Sequence, residues 1–365
     1  MKFIDLQTQN KILKKNIFKS IDKLMKDSNY IMGKNVYKLE KKLSEFIKAK
    51  YCISVSSGTD ALLISLMSID IKPGDEIITT PLTWISTAEV IKLLNAKPVF
   101  VDIDESTCNI NANLISKKIT KKTKAIIPVS LYGQIYDVIK LREISKKYNV
   151  PVIEDGAQSF GARYKNIYSC NSSLIGCTSF FPTKPLGGYG DGGAIFTNNR
   201  TVAKKCAQIR LHGQIKKNDF VRLGINGRMD EIQCLIVNEK FKLFKKEIVL
   251  RNKIAKYYSD NLKSIDKNNL EILSISDGNY NVWAQYTIRI KDNKRNKLMN
   301  YLKQFNIPTA IYYPKPLNQL KIFNSKNKTS ISEKISKEVL SLPMGPYLAL
   351  SDQNKIIKKI LNFFS

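Results

Sequence analysis

Two segments bring together side chains that can hold and work an aldehyde cofactor: Val152-Ile153-Glu154-Asp155-Gly156-Ala157-Gln158-Ser159, and Thr178-Ser179-Phe180-Phe181-Pro182-Thr183-Lys184 running into Gly187-Gly188-Tyr189-Gly190-Asp191-Gly192-Gly193. A β-branched run that ends in two carboxylates is what a buried parallel strand offers at its carboxyl end, where open α/β sheets place their ligands. A carboxylate there, Asp155, can keep a pyridine ring protonated. The second segment sets a hydroxyl, Ser179, and an amine, Lys184, just after a short apolar strand, with glycines that let the backbone approach a ligand. Lys184 is the candidate for a Schiff base, and the pair points to pyridoxal 5′-phosphate.

That chemistry also needs a phosphate cradle, a stacking group and a partner for the phenolic oxygen. Ser56-Ser57-Gly58-Thr59-Asp60 follows an apolar run and opens a helix, so free backbone N–H groups and the positive end of the helix dipole converge on an anion. Gly58 and Thr59 are placed to hold the phosphate, with Ser179 adding a hydroxyl. Trp84, in Pro81-Leu82-Thr83-Trp84-Ile85, can lay an aromatic face on the ring. Gln158, three residues after Asp155, can donate to the phenolic oxygen if the strand leads into a turn of helix. Singly each has an ordinary reading: a helix cap for Ser56 to Asp60, core for Trp84, surface for Gln158 and Lys184, a turn for Asp155. Their order and spacing as a set favour the site.

The elements that must position these residues follow from periodicity. Short apolar runs at Cys52 to Val55, Glu76 to Thr79, Pro98 to Val101, Ala125 to Leu131, Val150 to Glu154, Cys177 to Phe181 and Gly193 to Thr197 alternate with amphipathic segments such as Thr59 to Ser68 and Val138 to Tyr148. Alternating strands and helices imply an α/β fold with a mostly parallel central sheet. Pro73-Gly74-Asp75 marks a turn before the second run. Past residue 240 the pattern becomes a long charged helix (Lys240 to Leu262), a strand at Ala284 to Ile290, a helix near Lys294 to Phe305 and a Pro-rich stretch at Tyr312 to Pro316. This predicts a large domain over 1–240, its N-terminal helix packing on the smaller domain, and a small α/β domain over 241–365.

The formal charge of +29 would suggest nucleic acid or a membrane surface, but Lys-Lys pairs are spread along the whole chain and no interleaved basic and aromatic motif appears. Neither nucleic acid nor membrane is expected as a partner. The charge can still attract an anionic nucleotide substrate at low salt. Six cysteines without a Cys-x-x-Cys pair, and the single histidine His212, are too few ligands for a zinc site. No run approaches the roughly 18 apolar residues of a spanning helix. Reduced thiols in the cytoplasm are the simplest reading.

The same residues carry a resemblance over essentially the full length to the nucleotide-sugar aminotransferases of the DegT/DnrJ/StrS family. The matching segments are Phe3-Ile4-Asp5-Leu6, Ser57 to Leu62, Val101-Asp102-Ile103-Asp104, Glu154 to Gly161, Ser179 to Lys184 with its glycines, Asn226-Gly227-Arg228-Met229-Asp230 and Leu342-Pro343-Met344. The resemblance implies the fold type I aminotransferase architecture and repeats the roles given above for Lys184, Asp155, Gln158, Trp84, Thr59 and Ser179. It further implies that Asn226 reaches the phosphate of a neighbouring subunit's cofactor, hence a homodimer. Within the family, Pro128 to Gln134 and Ser169-Cys170-Asn171 look most like the enzymes that aminate C3 of UDP-2-acetamido-2-deoxy-3-oxo-D-glucuronate, with L-glutamate as donor, for surface polysaccharides such as the O-antigen of lipopolysaccharide. Arg228, Tyr312 and Tyr313 match positions near the sugar. Those relatives carry histidine where this chain has Tyr312, which weakens the case for a sugar carboxylate. Another 3-oxo or 4-keto nucleotide sugar, or a regulator that kept the fold, are the rival readings; a dehydratase of this fold would have histidine at Lys184.

Overall fold

β-Branched and aliphatic residues on both faces of a strand demand cover on both sides, and the large sheet is built this way. The computed structural model describes residues 1–323 and 325–365. Its strands are β1 (Tyr51–Val55), β2 (Glu76–Thr79), β3 (Lys97–Phe100), β4 (Thr123–Ile127), β5 (Ile153–Asp155), the hairpin β6 (Arg163–Tyr164) and β7 (Ile167–Tyr168), β8 (Ile175–Ser179) and β9 (Gly193–Thr197). β2 pairs in parallel with both β3 and β4, β5 with β8, and β9 runs antiparallel to both β8 and β1. Parallel bridges Ile126 to Val152 and Val129 to Asp155 join the two groups. The order is therefore β3-β2-β4-β5-β8-β9-β1, with β9 alone reversed, in agreement with the expected mostly parallel sheet.

Helices cover both faces. Helix α1 (Leu6–Asp27) is followed by α2 (Lys34–Ile47), whose Val36, Leu39, Leu43 and Ile47 form one fully buried stripe. That stripe meets Phe160, Phe180, Phe196 and Phe244. On the other face α3 (Gly58–Ser68) lays Leu62, Ile64 and Leu66 on Ile53, Ile77, Ile153, Ile175 and Ile195, next to α4 (Ser86–Leu93).

The long helix expected from Lys240 begins earlier and runs uninterrupted from Glu231 to Leu262. Glu231 is itself buried, because its carboxylate accepts the Asn35 and Val36 N–H groups at 3.0 and 2.9 Å and caps α2. The expected divide near residue 240 falls inside this helix: Val237, Phe244 and Ile248 join the core around α2, whereas Ile254, Tyr258 and Leu262 join a second core. That core packs against an antiparallel sheet of Leu270–Ile272, Tyr286–Ile290 and Val339–Leu342, with helices Arg295–Gln304 and Leu350–Phe364. Helix α1 packs through Leu13, Ile17 and Leu24 on Leu235 and Ile236 of the long helix. The segment before it reaches the second core's sheet region, where the Met344 N–H donates to the Phe3 carbonyl.

Buried polar ties join the parts. Asp102 accepts the N–H groups of Ile331 and Ser332, both at 2.9 Å, and so caps helix Ser330–Glu338. Arg289, fully buried, pairs with Glu105, Glu271 and Glu338 at 2.8, 3.1 and 2.7 Å. Among the described residues no helix is long and apolar enough to cross a membrane, no metal-binding cluster is found, and the six cysteines are free.

Candidate active site

Asp155 ends β5 and turns its side chain toward the first turn of α4. Its Oδ2 accepts the Thr87 hydroxyl at 2.7 Å and its Oδ1 accepts the Ala157 N–H at 3.1 Å. Each oxygen keeps a lone pair, so the carboxylate is fixed in direction yet able to accept a further proton donor. Burial raises its pKa, while Thr87, the Ala157 N–H and Lys184 pull the other way.

Lys184 follows β8 on a tight turn in which its own N–H donates to the Phe181 carbonyl at 2.9 Å. Burial lowers the pKa of its amine and the Asp155 charge opposes the fall. Among the described residues no hydrogen bond or ion pair engages that amine. A desolvated, unengaged lysine is more often neutral, the state a nucleophile or base requires.

At the candidate phosphate cradle two elements approach closely. Ser57 caps α3 by accepting the Asp60 N–H at 3.0 Å, and the Ser56 N–H donates to the Gly227 carbonyl at 3.0 Å. A Cβ on Gly58 would stand 2.7 Å from the Cβ of Ser179, so only glycine lets the first turn of α3 sit against the end of β8. Thr59 is oriented by a 2.8 Å hydrogen bond to Ser86. The N-terminus of α3 and Ser179 thus lie side by side, with Thr59 beside them, an arrangement an anion site can use.

Gln158 is buried on the turn after β5. Its Oε1 accepts the Tyr132 N–H at 3.0 Å and its Nε2 donates to the Tyr313 hydroxyl at 2.6 Å, which leaves one amide hydrogen free. Trp84 stands just before α4 with 62% of its surface exposed, an aromatic face without cover in the single chain. Burial raises the pKa of Tyr313 and of Tyr312. Tyr312 feels the charge of the buried Arg251, so a cation acts on the position where histidine is absent. Asn226 is exposed, and Arg228, whose buried Nε has no partner among the described residues, is half-buried; both flank Gly227 on the segment tied to Ser56.

The fold therefore gathers Lys184, Asp155, Gln158, Ser179, Gly58 and Thr59 at the carboxyl ends of β1, β5 and β8, adjoins Trp84 through α4, and adds Tyr313 through Gln158. Sequence reasoning passed over Ser86 and Thr87, the hydroxyls that orient Thr59 and Asp155. The signal was a Ser-Thr pair directly after Trp84-Ile85. The residues present suit a phosphorylated pyridine aldehyde: an anion cradle that a methyl group would fill, a directed carboxylate, and an unengaged amine.

Known proteins resemble this chain over most of its length. The model of the DegT/DnrJ/EryC1/StrS aminotransferase family matches residues 11–361. The chain is 47% identical over 349 residues, 95% of its length and 96% of the relative's, to the UDP-2-acetamido-2-deoxy-3-oxo-D-glucuronate aminotransferase of Pseudomonas aeruginosa. It is 40% identical over 365 residues, covering 99% of the chain and 98% of the relative, to a pleiotropic regulatory protein of Geobacillus stearothermophilus. A Bacillus subtilis structure with the cofactor PMP bound superposes with a TM-score of 0.91 at 29% identity, over 99% of this chain and 83% of that one.

Proposed function

The chain belongs to the DegT/DnrJ/EryC1/StrS aminotransferase family, and from that premise we propose that it moves the amino group of L-glutamate to the C3 ketone of UDP-2-acetamido-2-deoxy-3-oxo-D-glucuronate, with pyridoxal phosphate as its cofactor. The observation that carries the reaction class is the unengaged, desolvated Lys184 amine facing the doubly anchored Asp155. The substrate reading rests on the full-length likeness to the Pseudomonas aeruginosa enzyme.

Pyridoxal phosphate, when bound, supplies an electron sink for the carbon that loses a proton. Lys184 offers the amine that holds the cofactor, then takes the proton from the donor Cα and returns one in the second half of the cycle. Asp155 holds the proton on the pyridine nitrogen, kept in place by Thr87 and the Ala157 N–H. Gln158 spends its free amide hydrogen on the phenolic oxygen. Gly58, Thr59 and Ser179 hold the phosphate, and Trp84 covers the ring. Arg228, Tyr312 and Tyr313 face the sugar.

The protein works as a homodimer in this reading, with Asn226 serving the partner's phosphate. The exposed Trp84 and Phe181, close in sequence to site residues, and the exposed Phe220 and Leu223, the last 88% exposed, support it, since large apolar side chains left open to water suit a partner surface. The product is a 3-amino sugar for a surface polysaccharide such as O-antigen, made in the cytoplasm.

The second reading, a 3-oxo sugar without the C6 acid, is favoured by Tyr312 standing where a cationic side chain is expected. Parallel kinetics with the 3-oxo-glucuronate and the 3-oxo-glucosamine nucleotides decide between them. A higher kcat/KM for the acid supports the first substrate; the reverse order, or turnover of a 4-keto sugar alone, refutes it. A protein that binds cofactor but transaminates no nucleotide sugar would belong with the regulators.

A further inference from the structure

We propose that Glu154, the carboxylate beside Asp155, is a positioning residue that sets Gln158 and Asp155 by fastening the two loops that flank them; the proposal rests on the reading of Asp155 and Gln158 as facing the cofactor. Adjacent strand residues point to opposite faces, so Glu154 turns away from the site. Its side chain is fully buried. Oε1 accepts the hydroxyls of Ser130 and Ser169 at 2.7 and 2.6 Å. Oε2 accepts the Cys170 N–H and the Ser172 hydroxyl at 2.8 and 2.5 Å. Burial raises the pKa of this carboxyl and the four donors hold it down.

A buried carboxylate with four donors is a costly way to fill a position in a central strand. What it gains is a junction. On one side, Ser130 begins a turn stitched to β5 by its N–H to the Asp155 carbonyl at 3.0 Å and by the Asp155 N–H to the Pro128 carbonyl at 2.9 Å. Two residues on, Tyr132 adopts a left-handed φ of 53°, a strained conformation for an aromatic residue. In that conformation its N–H reaches Gln158 Oε1. On the other side, Ser169 bonds Ser159 at 2.6 Å, and Cys170 packs so closely that a Cβ on Gly156 would lie 2.5 Å from its sulfur. The turn carrying Gln158 is thus gripped from both flanks through one carboxylate. Fully enclosed and fully engaged, Glu154 is in no position to touch substrate.

The test compares Glu154→Ala, Glu154→Gln and Ser130→Ala with the parent protein. Glutamine can keep its oxygen on the Cys170 N–H and donate its amide hydrogens to Ser130 and Ser169, whose hydroxyls turn to accept. In the cofactor-free protein, amide exchange over residues 130–134 and 156–160 should quicken about tenfold in Glu154→Ala, the weight of one ordinary hydrogen bond. In Glu154→Gln it should change less than about twofold. With pyridoxal phosphate bound, the pH midpoint of the visible band should move up in Glu154→Ala, because a donor to the phenolic oxygen has drawn back. It should stay in place in Glu154→Gln. If Glu154→Ala does not fold, Ser130→Ala, which cuts only the tie to the Tyr132 turn, should show the same upward shift in smaller measure. A lowered melting temperature with an unmoved midpoint would mark a merely structural role and overturn the proposal. So would a glutamine variant as impaired as the alanine one. A parent protein that shows no visible band counts against the cofactor reading, while the cofactor-free exchange still judges the junction.

Discussion

Replacing Gly58 by alanine tests whether the approach of α3 to β8 is a binding cradle. The new Cβ would lie 2.7 Å from the Ser179 Cβ, 3.2 Å from its Oγ and 3.3 Å from its Cα. Carbon atoms rest at about 3.5–4.0 Å, so the elements must part by about 1 Å. Neither yields readily: Ser57 caps the helix and Ser56 is tied to Gly227, while β8 is paired on both edges. Overpacking of this kind costs about 1–3 kcal/mol, partly offset by the gain of up to about 1 kcal/mol from alanine in a helix. Stability without cofactor should therefore fall only a little. Binding needs the N–H groups of α3 and the Ser179 hydroxyl to converge, so the whole strain appears there, as a rise of roughly 10–100-fold in the dissociation constant. Titration of the cofactor-free variant with pyridoxal phosphate, alongside a melting curve, measures both. Unchanged affinity in a folded variant would refute the cradle.

Three further outcomes follow from the geometry. Asp155→Asn keeps the shape and the Thr87 contact but no longer holds the ring proton; kcat should fall by orders of magnitude, and a loss under about tenfold, or 1.4 kcal/mol of barrier, would argue against the role. Glu105 is held down to about 2 by Lys334 and Arg289, so its folded pKa lies below its unfolded one. Its contribution is present above pH 4.5 and lost as pH falls toward 2, so Glu105→Gln should lower the melting temperature at pH 7 to 8 and flatten its dependence on pH between 4.5 and 2. Asp102→Ala removes the carboxylate that caps helix Ser330–Glu338 from the large sheet, and urea unfolding should show a loss of about 2 kcal/mol; a loss below a few tenths would mean that water replaces the cap.

The apolar runs marked β1, β2, β3, β5, β8 and β9 because each is short, buried on both faces and bounded by turn residues. The same rule could not show that β9 is reversed, since a strand buried on both faces looks alike in either direction. Periodicity also carried the fourth run too far, to Leu131. Pro128 offers no N–H, and after Ile127 the chain turns through Leu131–Gly133, whose Tyr132 serves Gln158. The long helix was seen only from Lys240 because its first turns are apolar on several sides, so the amphipathic signal begins where the lysines do. At the candidate site, Lys184, Asp155 and the Gly58-Thr59 pair stand out in the sequence, for their types and neighbours suit the chemistry. Thr87, Ser86 and Ser130 were not, because a hydroxyl that orients another residue is set by a contact between distant segments.

The central claim is that Lys184, in a chain with 60 lysines and arginines, is the amine that holds the cofactor. Protein loaded with pyridoxal phosphate is reduced with borohydride, digested, and mapped by mass spectrometry, with and without prior L-glutamate. The account predicts one pyridoxyl label on the peptide bearing Lys184, lost when glutamate is added first and absent from Lys184→Ala. A label spread over surface lysines, or fixed on another one, or unaffected by any amino acid, would contradict it.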